Sequence, residues 1–237
     1  MVRGTKNRSL IGTTIVLSFL FPSVTNFTPA HATTPILEST TDPESTSVVV
    51  NKQRPLDPIQ YIPQDLVAPQ FGSLNANPYG RKLRKAASTA SYKLAKAMKS
   101  AGKGRLVIQS AYRSFAEQKV VHDRQVAKYG IEAGEALAAR PGFSEHQTGW
   151  AMDVSARGQG CQIRVCFGQT KAGIWLANNA YRYGFIVRYP NNATAITGYQ
   201  YEPWHLRYVG KALARAMFDA QVHTLEQYFD LPAAPNY

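Results

Sequence analysis

His146 and Asp153 stand seven residues apart in the stretch Phe143-Ser144-Glu145-His146-Gln147-Thr148-Gly149-Trp150-Ala151-Met152-Asp153-Val154, and that odd spacing constrains the fold. On one flat strand an odd separation sends two side chains to opposite faces. If both are to serve one site, the segment must turn or bulge between them, and Gly149 is the obvious pivot. A turn there sets Trp150 beside the site. Tyr201-Glu202-Pro203-Trp204-His205-Leu206 repeats the parity problem at i to i+3. Pro203 gives no ladder hydrogen bond, which makes a local break plausible.

Together the two stretches offer the parts of a catalytic metal site. His146, Asp153 and His205 supply two imidazoles and a carboxylate, and a catalytic zinc uses three protein ligands with one position left for water. Zinc lowers the pKa of water towards ~7, so Glu202 is placed to act as general base. His2Asp sets also accept other divalent ions. The spacing alone is only moderately specific. A lone histidine is more often a core residue satisfied by a backbone carbonyl, and His122 and His223 are read that way.

The beginning of the chain bears on the compartment. Arg3, Lys6 and Arg8 precede a mostly apolar run over 10–21, and Ala30-His31-Ala32 has the small-x-small pattern of a cleavage site. Residues 1–32 therefore read as a secretory signal peptide, with an uncleaved anchor as the alternative. With 27 Lys and Arg against 15 Asp and Glu the net charge is +12, or +9 without those three basic residues. Such a balance favours a polyanionic neighbour. Export argues against nucleic acid and for an anionic cell wall. The two cysteines, Cys161 and Cys166, lie five positions apart and read as a short-loop disulfide in an exported protein.

Residues 33–49, rich in Thr, Ser, Pro and Glu, read as a disordered linker, and 50–237 as the folded domain. Leu83, Ala87, Ala90, Leu94 and Ala97 make an apolar stripe on a helix over 81–100, with lysines mostly on its solvated side. A buried strand over 105–110 leads through Arg113, at a strand-to-helix corner, into a helix opened by the capping-box pattern Ser114-Phe115-Ala116-Glu117. Further helices are expected at 115–128, 131–139, 170–184, 211–221 and 224–229, with strands at 185–188 and 197–206. The mixture implies an α+β fold, an antiparallel sheet carrying the site and flanked by helices.

Ser144 to Asp153 matches the S-x-H-x-x-G-x-A-x-D signature of VanY-type D-alanyl-D-alanine carboxypeptidases, and Glu202-Pro203-Trp204-His205 matches their E-x-x-H signature. Ser110-Ala111-Tyr112-Arg113-Ser114 resembles their SGYRS segment, with Gln118 in its usual place, and 50–66 resembles their N-terminal segment. This group of zinc peptidases includes lysostaphin and the hedgehog signalling domain. The resemblance covers about 50–210. It implies the hedgehog/D-Ala-D-Ala peptidase-like fold, zinc on His146, Asp153 and His205, Glu202 as base, Arg113 on the oxyanion or peptide, and Ser144 and Gln118 against the peptide. Ala111 and Trp150 depart from the pattern, Trp150 being a candidate substrate-binding residue, and the Cys161–Cys166 loop looks like a local addition.

The function expected is that of an exported, monomeric zinc carboxypeptidase removing terminal D-alanine from peptidoglycan stem peptides. The same chemistry would also serve an L,D-carboxypeptidase or a wall endopeptidase. A wall- or partner-binding module with an idle zinc site is the rival from another class. Glu202 argues against it, because a module that only binds needs no base beside the metal.

Overall fold

The computed structural model describes residues 39–237, together with residues 1, 2 and 4. The signal peptide expected at 1–32 otherwise lies outside the described residues. Among the described residues no helix is long and apolar enough to cross a membrane.

In chain order the elements are β1 (Leu66–Val67), β2 (Leu83–Arg84), α1 (Lys85–Ser100), β3 (Leu106–Ser110), α2 (Phe115–Tyr129), α3 (Ile131–Glu135), β4 (Ala151–Ala156), α4 (Lys171–Asn179), β5 (Phe185–Val187), α5 (Thr194–Thr197), β6 (His205–Tyr208), α6 (Lys211–Asp219) and α7 (Leu225–Tyr228). Strands β3, β4, β6 and β5 form an antiparallel sheet in that order, and β1 pairs with β2. This is the expected α+β architecture.

Strand alternation divides the sheet. Met152 and Val154 of β4, Leu106 and Ile108 of β3, and Leu206 of β6 pack into the main core with Leu94 and Met98 of α1 and Leu176 of α4. The intervening positions Asp153, His205 and Arg207 belong to the opposite face, as period-two alternation requires. The cross-strand register pairs Asp153 with His205 and Ser110 with Asp153, beside a bulge between Ile108 and Ser110. A smaller cluster built on Val209, Leu213, Met217 and Leu225 anchors α6 and α7.

Several expectations are corrected. The helix expected from residue 81 begins at Lys85, because Leu83 and Arg84 are extended and pair with β1. The strand expected at 197–206 is confined to His205–Tyr208: Thr194–Thr197 is helical, Gly198 takes φ 79°, and Pro203 interrupts the approach. The helix expected to reach 139 ends at Glu135. Of the linker expected at 33–49, the described residues 39–49 are ordered: Val48 and Val49 are buried, and the carbonyls of Thr46 and Val48 accept from Arg207 at 2.9 and 2.8 Å. Its polar composition hid a segment that joins the fold through both side chains and backbone. The capping box is present: the Ser114 hydroxyl accepts from the Glu117 amide, and the Glu117 carboxylate accepts from the Ser114 amide.

Candidate active site

The turn required between His146 and Asp153 is a 3-10 helix, Glu145–Thr148, closed by Gly149 at φ 70°. A β-carbon on Gly149 would come within 2.8 Å of the Arg84 side chain, so glycine is needed for space as well as conformation. The turn delivers His146 to Asp153 on β4, with Nε2 3.2 Å from Oδ2. Asp153 faces His205 across the sheet, with Oδ1 3.2 Å from Nδ1. One ligand atom from each of the three residues lies within 4.8 Å of the others, and all three residues are buried. Two imidazoles and a carboxylate converging in this way fit a divalent transition metal such as zinc.

The surroundings of these three residues bear on what each can do. The Ala111 carbonyl accepts a hydrogen bond from His146 Nδ1 at 2.6 Å, which leaves the Nε2 lone pair free. Burial, aided by nearby Arg113, pulls the His146 pKa down to about 4, so the ring is neutral at pH 7. Burial also opposes charge on His205, yet Asp153 and Glu145 outweigh it and push the pKa up to about 9. Asp153 is the reverse of a desolvated acid, since the two histidines hold its carboxyl well below the usual range despite burial. Among the described residues, Asp153 Oδ1 and His205 Nε2 are buried without an aligned hydrogen-bond partner.

Glu202 lies just outside the triad, its Oε2 3.6 Å from His205 Nδ1. Pro203 and Trp204 form a turn in which the His205 amide donates to the Glu202 carbonyl at 3.1 Å, and this brings two residues three apart to one side. Burial raises the Glu202 pKa to about 8, with Asp153 adding to the rise. Arg113, at the corner between β3 and α2, is drawn to the site by its amide, which donates to the His146 carbonyl at 3.2 Å. Burial lowers its pKa and its Nε has no partner, so a guanidinium donor is left for a ligand.

A cleft of about 320 Å³ joins these groups: Arg113, Ser144, His146, Asp153, Glu202 and His205 all line it, with Tyr189 and Tyr199 among its aromatic walls. Two expected contacts fall elsewhere. Gln118 is buried behind the wall, where its Nε2 donates to the Ala139 carbonyl at 2.7 Å and braces a cleft-lining residue. Trp150 shares a face with Met152 and Val154, stacks on Tyr208 at 5.7 Å and lies beneath the Arg84 guanidinium. The turn at Gly149 is real, but strand parity then carries Trp150 to the core side, away from the cleft.

Sequence reasoning missed a charged cluster under the site. Glu145 Oε1 accepts from Arg188 Nε and Arg207 Nη1, both at 2.8 Å. Arg188 also makes a bidentate pair with Glu226 at 2.9 and 2.7 Å, and Asn51 donates to the same carboxylate at 2.9 Å. Glu145 Oε2 approaches His205 Nε2 at 3.5 Å. The signal was Arg207, two positions from His205 and therefore on the same sheet face. Of the remaining histidines, His223 is exposed, and His122 faces Asp123 and Glu135 in place of a backbone carbonyl. The disulfide Cys161–Cys166 is formed.

The sequence profile described as VanY, D-alanyl-D-alanine carboxypeptidase, matches residues 80–211. The chain belongs to the VanY family. A Bacillus subtilis (strain 168) relative, YodJ, is 45% identical over 195 residues, 82% of this chain and 70% of that one. A D-alanyl-D-alanine carboxypeptidase of Enterococcus faecium is 37% identical over 54% of this chain, which spans only 38% of that enzyme. Among solved structures, the LdcB LD-carboxypeptidase is similar at a TM-score of 0.71 and 44% identity, covering 79% of this chain and 87% of that one. The VanY D,D-pentapeptidase of a VanB-type resistance cassette, solved with Zn(II), is similar at a TM-score of 0.62 and 32% identity, covering 78% and 98%. Ser144, His146, Asp153, Glu202 and His205, from the two stretches that carry the resemblance, line the cleft.

Proposed function

We propose that this protein is a zinc-dependent carboxypeptidase that removes the terminal D-alanine from peptidoglycan stem peptides outside the cytoplasm. The observation that carries the proposal is Glu202, a partly buried carboxylate beside the His146–Asp153–His205 set and in the same cleft as Arg113. His146 Nε2, Asp153 and His205 Nδ1 would hold the zinc. Bound there, the ion would supply Lewis-acid charge and acidify water at neutral pH.

The protein's own groups do the rest. With a divalent cation bound beside it the Glu202 carboxyl would be ionised, and it would accept the proton of the attacking water and deliver it to the departing amine. The Arg113 guanidinium donates to the oxyanion that forms on the scissile carbonyl. Ser144, buried on the cleft wall, orients the peptide, and the aromatic walls exclude bulk water. The similarity to LdcB favours a second reading, the same chemistry on the L,D bond of a tetrapeptide. The net charge of +12 suits work within an anionic wall.

Mass spectrometry of defined muropeptides after incubation with the zinc-loaded protein tests the proposal. Conversion of pentapeptide to tetrapeptide is the expected result. Conversion of tetrapeptide to tripeptide would move the assignment to the L,D bond, and release of no D-alanine from either would defeat both.

A further inference from the structure

The disulfide ring carries an apolar residue to the cleft. Ile163 lines the cavity that holds the three ligands, Glu202 and Arg113, alongside the apolar Val121 and Leu137 from the α2–α3 side. It is 41% exposed, so part of its apolar surface stands in water at the edge of the cleft. Its backbone sits at φ 49°, and that of Cys161 at 55°. A β-branched residue seldom adopts such an angle, and holding one there costs on the order of 1–3 kcal/mol.

The ring is anchored on both sides. Cys161 packs against the main core, and just past Cys166 the side chain of Phe167 is buried at 0% exposure. Between these anchors the disulfide closes six residues into a loop with little freedom. An aliphatic group is thus held at the rim of a polar cleft by an unfavourable backbone angle and a covalent clamp. Packing within the protein does not explain it, since the side chain remains partly in water.

We propose that Ile163 is a specificity-determining residue, held by the Cys161–Cys166 ring against the aliphatic part of the peptide upstream of the scissile bond. This rests on the carboxypeptidase reading above. In that reading a single small residue leaves, while Arg113, Ser144 and the ligands engage the bond and its carboxylate end. The apolar wall is therefore available to the part of the peptide that the polar groups do not hold. Covering Ile163 removes apolar area from water, and the clamp means that little freedom is lost when it is covered.

The test compares affinities on the zinc-loaded Glu202→Ala protein, using a synthetic pentapeptide ending in D-Ala-D-Ala and the N-acetylated dipeptide D-Ala-D-Ala. Ile163→Ala is expected to reduce the preference for pentapeptide over dipeptide by roughly tenfold. Ile163→Leu, which keeps the aliphatic volume, should restore most of it. The double substitution Cys161→Ser with Cys166→Ser should reproduce the loss, and adding Ile163→Ala to it should cost nothing further, as expected of groups acting as one unit. An unchanged preference in Ile163→Ala, or equal weakening of both peptides, would overturn the proposal. Turnover of the pentapeptide by the wild-type protein separates the two readings. If it is present while the preference is unaltered, only the role of Ile163 falls. If wild type neither binds nor cleaves either peptide, the carboxypeptidase reading falls and takes this proposal with it.

Discussion

Two groups of buried charges lie almost back to back in this domain, and they are built on opposite rules. Beneath the site, Glu145, Arg188, Arg207 and Glu226 are each 0% exposed and tied by ion pairs of 2.7–2.9 Å, with Asn51 and two carbonyls completing the set. In the cleft, Arg113 Nε and Asp153 Oδ1 are buried without aligned partners, and so, at the seam between the two groups, are His205 Nε2 and Glu145 Oε2. A buried charge is costly unless paired, and an incomplete polar network costs more than an apolar one. The lower cluster is therefore structural in character, while the upper one leaves valences that a metal and a substrate can fill. Glu145 spans both, one oxygen in the satisfied cluster and the other 3.5 Å from His205.

The contrast breaks most visibly at Glu202. Glu202→Ala is expected to lower turnover by about 10³-fold or more while zinc stoichiometry, read by atomic absorption, stays near wild type. Near-normal hydrolysis would remove the catalytic meaning of the unsatisfied group. His146→Ala takes away one of three ligands and should leave a protein that elutes from gel filtration without zinc; full occupancy would mean the ligand set is wrong. Arg113→Ala should lower kcat/KM by about 10²- to 10³-fold, and wild-type kinetics would return Arg113 to the structural group.

The satisfied cluster should answer in stability. Glu226→Ala leaves Arg188 with one carboxylate in place of two and should cost about 3 kcal/mol, seen as a lower midpoint in urea unfolding. Its pH dependence has a definite sign. Although burial opposes ionisation, Arg188 holds the Glu226 pKa below its ordinary 4.5. The carboxylate's contribution is therefore complete above that value and is lost as pH falls through the lowered one. Wild type and Glu226→Gln should differ most at neutral pH and converge in acid; a gap that widened on acidification would contradict the ion-pair account. Trp150→Phe, away from the cleft, should shift the midpoint modestly and leave the choice between pentapeptide and tetrapeptide unaltered.

That His146, Asp153 and His205 meet was legible from their odd spacings around Gly149 and Pro203 taken together with the family signatures. Arg113 was legible from the strand-to-helix corner and the family signature together. Trp150 was misplaced because the turn was reasoned from Gly149 alone, without carrying the alternation of β4 back from Asp153. The lower cluster was harder to read because its members come from 145, 188, 207 and 226, and its one local sign was the spacing of Arg207 from His205. The segment from 39 to 49 was misread for a related reason: beside the buried Val48 and Val49, part of its share in the fold is made by carbonyl oxygens, which composition does not record.

Those carbonyls have a consequence for how the domain comes into being. Thr46 and Val48 serve Arg207 across 161 and 159 residues, and Asn51 serves Glu226 across 175. Part of what holds residues 46–51 thus comes from the last quarter of the chain. Contacts so distant in sequence are slow to form, so the domain closes like a clasp whose two halves lie at its ends. An expression boundary drawn at residue 50 would cut off half of that clasp, and Arg207, two positions from His205, would lose the carbonyls that hold it.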